Sequence, residues 1–106
     1  MRSEHKVVVF KDGADYRVEP GRLIVNVGDV VTFKANRSLD LTITVMFPTP
    51  IFIGRAGPNI VLTPGQSESR QVRADAADGV YDYSVLCPDD KNRAVAASEP
   101  EIIIDS

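Results

Sequence analysis

Turn-forming residues cut this chain at short, regular intervals, and no stretch between the cuts keeps a helical period. Lys11-Asp12-Gly13 ends the β-branched run Val7-Val8-Val9-Phe10 with a hairpin signal, and Tyr16-Arg17-Val18 resumes extended structure. Pro20-Gly21 and Pro64-Gly65 each pair a fixed φ with a residue tolerant of positive φ, the requirement of a type II turn. Gly28-Asp29 and Ala76-Ala77-Asp78-Gly79 turn the chain again. A chain punctuated this often is left with strands as its building material.

Within the runs the side chains alternate. Leu23, Val25 and Val27 oppose Ile24 and Asn26; Val31, Phe33 and Ala35 oppose Thr32 and Lys34. Leu41, Ile43 and Val45 oppose Thr42 and Thr44, while Tyr81, Tyr83, Val85 and Cys87 oppose Asp82 and Ser84. Asn59 to Leu62, Ser69 to Ala74 and Glu101 to Asp105 read as further strands. The expectation is an all-β protein, a Greek-key antiparallel β-sandwich of seven to eight strands, with 1–106 as one domain.

Charge and cysteine count narrow the function. Lys+Arg total 12 against Asp+Glu 15, a net charge of −3, with no basic run to neutralise phosphates, so nucleic acid is not an expected partner. No run reaches the roughly 18 apolar residues of a membrane span. The compartment stays open between the cytoplasm and, if an export signal is removed, the periplasm or exterior. Cys87 is the only cysteine, so packing rather than a disulfide must hold the sandwich. A cysteine nucleophile needs a base, and the only histidine, His5, precedes the first strand; no phosphate-cradling glycine loop opens a helix, and no catalysis is expected.

Three of these segments together resemble the cupredoxins. Val25-x-Val27-Gly28-Asp29-x-Val31-x-Phe33, Leu62-x-Pro64-Gly65-x-Ser67 and Gly79-x-Tyr81-x-Tyr83-x-x-x-Cys87 follow the order and spacing of that family over nearly the whole chain. The resemblance implies a blue-copper site of two imidazoles, a thiolate and a weak axial ligand. The counterpart of its first histidine is Leu41, or Leu39 if the loop registers differently, and neither His nor Met occurs in residues 88–97. Only Cys87 carries over, and two imidazoles cannot come from one histidine. Type 1 copper is therefore not expected, nor any other cofactor.

Two readings follow. The first is a copper-less binding or interaction module whose partner is another protein, with the oligomeric state open. Its candidate surface is Phe47, Ile51, Phe52 and Ile53, in a proline-interrupted excursion from Met46 to Pro58 that either caps the sandwich or presents an apolar patch. The second is a non-standard metal carrier or sensor using Cys87 with Asp89 and Asp90, completed by His5 or a second chain. The plainer alternatives are a buried Cys87, a solvated acidic turn at Asp89 and Asp90, and a surface His5.

Overall fold

The computed structural model describes residues 3–13, 15–40, 42–53, 59–87, 92–94 and 100–105; of Asp15, Cys87 and residues 92–94 it describes the main chain alone. Among the described residues there are twelve strands and no helix. In chain order they are β1 (Glu4–Asp12), β2 (Asp15–Glu19), β3 (Arg22–Val25), β4 (Val30–Ala35), β5 (Ile43–Met46) and β6 (Phe52–Ile53). Then follow β7 (Asn59–Leu62), β8 (Ser67–Val72), β9 (Gly79–Asp82), β10 (Ser84–Cys87), β11 (Asn92–Ala94) and β12 (Glu101–Ile104).

These strands make two layers. One is a five-stranded sheet, β2-β1-β4-β8-β6. The other combines a three-stranded sheet, β3-β12-β9, with a four-stranded one, β11-β10-β5-β7, and the chain runs from one to the other through Tyr83. The strand expected over residues 80–87 is thus divided: β9 pairs with β12, and β10 pairs with β5. That division, with the short β6 and β11, raises the count above seven or eight. The sheets are also mixed rather than wholly antiparallel, because β1 lies parallel to β4 and β3 parallel to β12.

The alternation read from sequence sets the interior. Val7, Val9, Val31, Phe33 and Val72 from the first layer meet Val25, Ile43, Val45, Ile60, Tyr83, Val85, Ile102 and Ile104 from the second, all at most 1% exposed. Turn chemistry agrees at two glycines and differs at one. Gly65 takes φ 88 and the Gln66 N–H donates to Thr63 O, the geometry of a type II turn. Gly13 takes φ 63 in the β1–β2 hairpin. Pro20-Gly21 forms no type II turn, since Gly21 is not among the positive-φ glycines.

The excursion after β5 also differs from the open patch it could have been. Phe47 is 5% and Ile51 1% exposed, Phe52 is half-buried, and Ile53 alone is open at 56%. Phe47 stacks on Tyr83 with centroids 5.0 Å apart, and Phe33 meets both edge-on. Phe52 and Ile53 then pair with Val72 and Gln71 at the edge of the first layer.

Among the described residues, Tyr83 carries the one buried side-chain polar atom left unsatisfied. Its hydroxyl is buried with no hydrogen-bond partner among the described residues, and burial pushes its pKa well above the ordinary phenol value. Tyr83→Phe removes an unsatisfied polar atom and keeps the ring. The expected result is an unfolding free energy unchanged or raised by up to about 1 kcal/mol, read by urea denaturation. A loss above about 1 kcal/mol would mean that the hydroxyl has a partner.

Candidate functional site at the loop-bearing end

Strand direction brings the resemblance's metal-binding segments to one end of the sandwich. β4 leaves the interior at Ala35, residues 36–42 connect it to β5, and β10, antiparallel to β5, finishes beside β5's start. Cys87 therefore closes β10 at the end where residues 36–42 lie, opposite Asn92 of β11. The hairpin between β1 and β2 reaches the same end, because β1 runs parallel to β4.

Polar side chains tie this end down. Asn36 Oδ1 accepts the Ser38 N–H at 2.8 Å, a local turn that asparagine favours. Ser38 Oγ accepts the Lys11 N–H at 3.0 Å. Asp40 accepts from Lys11 Nζ at 2.9 Å and from the Tyr16 hydroxyl at 3.0 Å, and these two donors hold its carboxyl below the usual range. Leu39 fills the interior between these ties, 3% exposed.

Among the described residues no copper set comes together. Leu41, the counterpart of the first histidine, lies outside the described residues, as do Asp89 and Asp90; its alternative, Leu39, presents a buried aliphatic chain and no lone pair. Cys87 has its main chain in place at the end of β10. His5 pairs in register with Val31, four residues short of Ala35, which is roughly 13 Å along the strand from the loop-bearing end. Its Nε2 lies 2.9 Å from Asp29 Oδ2. Among the described residues no three His, Cys, Asp or Glu side chains cluster as a metal group. The donor chemistry does not fit type 1 copper.

Asp29, read from sequence as turn punctuation, is a buried anchor. Only 2% exposed, it accepts from the Ser3 and Asn26 N–H groups at 2.9 Å each as well as facing His5. Burial alone would raise its pKa, but the Ser3 and Asn26 N–H groups and His5 together hold it below the ordinary carboxylate value. A buried Asp is rarely left without such partners, yet nothing in the local sequence pairs residue 29 with residue 5.

A second feature lies on the outer face of the second layer. Ile103 of β12 is in register with Ile24 of β3 and Val80 of β9, so the three form one row. Ile24 is 58% and Val80 60% exposed. Beside it run Arg22, Glu101 and Asp82, with Arg22 Nε 2.7 Å from Glu101 Oε1. Alternation marked Ile24 as outward-facing; only the parallel β3–β12 pairing sets it beside Ile103.

No family model matches the chain, and no curated protein does. Solved structures do. A copper nitrite reductase from Nitrosomonas europaea superposes with a TM-score of 0.68 at 15% identity, over 98% of this chain and 42% of its own. A purple cupredoxin from Nitrosopumilus maritimus gives 0.56 at 15% identity, over 95% of this chain and 99% of its own. A reduced amicyanin variant gives 0.54 at 21%, over 92% and 80%. This chain thus spans less than half of the nitrite reductase chain and most of the two smaller proteins. The likeness establishes an all-β sandwich with the cupredoxin fold.

Proposed function

We propose that this cupredoxin-fold chain is a non-catalytic binding module that does not carry type 1 copper. The observation that carries the reading is the commitment of its only histidine to Asp29, at the end of the sandwich away from Cys87. A His₂Cys centre has no second imidazole to draw on and its first is engaged elsewhere. The scaffold remains complete around a buried Leu39. The bound partner is a protein covering the Ile24–Ile103–Val80 row, an apolar strip of the kind protein contacts bury. Of the excursion first considered for that role, Ile53 and the open side of Phe52 remain available to the same kind of partner.

The test is a titration of the reduced protein with Cu(II), Cu(I) and Zn(II), following heat and visible absorbance. The expected result is no thiolate-to-copper band and no tight stoichiometric binding. A band or tight binding that Cys87→Ser abolishes would overturn the proposal and favour the metal carrier built on Cys87, Asp89 and Asp90.

A further inference from the structure

The first layer gathers positive charge that the sequence disperses. Lys6 of β1 is in register with Thr32 of β4, and Lys34 of β4 with Ser67 of β8. Both lysines have the outward parity of their strands, since Val7 and Phe33 beside them point into the core. Lys6 and Lys34 are therefore diagonal neighbours on adjacent strands, about 7–8 Å between backbones and within reach of long side chains. Arg37 joins them from the loop after β4. Its Cγ and Nε lie 3.5 and 3.7 Å from where a Cβ on Gly65 would sit, so the side chain lies across the Pro64-Gly65 turn.

The two lysines border one open concavity of about 460 Å³, lined by Glu4, His5, Lys6, Thr32, Lys34, Gly65 and Ser67, and Arg37 lies beside it against Gly65. Thr32 Oγ1 and Ser69 Oγ are 2.7 Å apart on the same face, adding hydroxyls to the ammonium groups. Neither lysine nor Arg37 has an ion pair among the described residues. Glu4 is the one carboxylate lining the hollow. Glu19 is two strands from Lys34 with Val8 between them, and Glu68 is engaged with Arg70 Nη2 at 2.9 Å. Like charges on neighbouring strands repel, and here, among the described residues, the cations stand together with Glu4 as the one carboxylate lining the hollow, on a chain of net charge −3.

The geometry points to a binding site for a multiply charged oxyanion, a phosphate or sulfate group, held by Lys6, Lys34 and Arg37 with hydroxyl donors from Thr32 and Ser67. Ammonium and guanidinium groups bind such ions by charge-assisted hydrogen bonds. The site is separate from the Cys87 end and from the Ile24–Ile103–Val80 row, and it stands whether or not a metal binds.

Backbone NMR of the whole chain, titrated with inorganic phosphate at low and constant ionic strength, tests it. Saturable shifts are expected at the amides of Lys6, Thr32, Lys34, Gly65 and Ser67. Lys34→Gln should weaken phosphate roughly tenfold, the loss of one charge-assisted contact, and Lys34→Arg should restore it; Lys6→Gln repeats the test on a second strand. O-phosphoserine in place of inorganic phosphate separates the sources: tighter binding assigns the group to a larger molecule, equal binding to the free ion. Shifts that never saturate, that sodium chloride reproduces at equal ionic strength, or that both glutamine variants leave intact would overturn the proposal.

Discussion

Asp29→Ala is expected to lower the unfolding free energy by about 3 kcal/mol, a large share of the roughly 5–15 kcal/mol of a typical domain. The substitution leaves the Ser3 and Asn26 N–H groups without their acceptor and strands His5, three contacts that converge on one carboxylate. Asn26, Asp29 and Ser3 also close the turn entering β4 and the start of β1, so the loss falls on the β1–β4 pairing. Asp29→Asn separates charge from shape, since the amide keeps one acceptor oxygen. Because the folded pKa of Asp29 lies below its unfolded value, the unfolded state takes up the proton first as pH falls. Its contribution is complete above the ordinary aspartate value of about 3.9 and drains away as pH drops through the lower folded value. Asp40 and Asp75 are shifted the same way but are exposed, where solvent screens the effect. Urea titrations at pH 7 and at successively lower pH check this. The wild type should lose more stability than Asp29→Asn across the acid range, and coincident acid profiles would remove Asp29 from its anchoring role.

What the sequence disclosed divides along the range of the signal. Contacts between near neighbours were legible: the Gly13 hairpin, the Pro64-Gly65 turn, and the alternation that buries Val31, Phe33 and Ala35 or Ile43 and Val45. The resemblance to cupredoxins rested on three such local patterns. The argument against type 1 copper needed no geometry either, because a count of one histidine settles how many imidazoles a chain can supply. Pairings between distant segments left no local mark. Lys6, Lys34 and Arg37 are ordinary surface cations in sequence, and only the parallel β1–β4 register sets the lysines side by side. His5 and Asp29 stand 24 residues apart, and each has a plain local explanation, a surface histidine and a turn aspartate. The run from Phe47 to Ile53 was ambiguous for a different reason. Its prolines destroy the period from which inward and outward faces are read, so burial of Phe47 and Ile51 has to come from what they meet.

What they meet is an aromatic cluster, and its centre carries the largest single expectation here. Phe33 is fully buried and meets Phe47, Phe52 and Tyr83 edge-on, with centroids 5.5, 5.9 and 6.1 Å away. Phe33→Ala should cost about 4 kcal/mol, the transfer energy of the ring plus the void left behind. The neighbours cannot simply close in: Phe33 lies on a central strand between β1 and β8, and Tyr83 sits at the junction of β9 and β10. Phe47 and Phe52 belong to the excursion, so the cluster is also what fastens that segment to the sandwich. A double-mutant cycle between Phe33→Leu and Phe47→Leu should return a favourable coupling of about 0.5–1.5 kcal/mol beyond lost area. Urea denaturation of the four proteins of the cycle and of Phe33→Ala measures both quantities. A Phe33→Ala loss below about 1 kcal/mol together with zero coupling would mean that Phe47 is not locked against the core. The excursion would then be free to present its apolar residues to a partner, and the surface for protein binding would move from the Ile24–Ile103–Val80 row to residues 47–53.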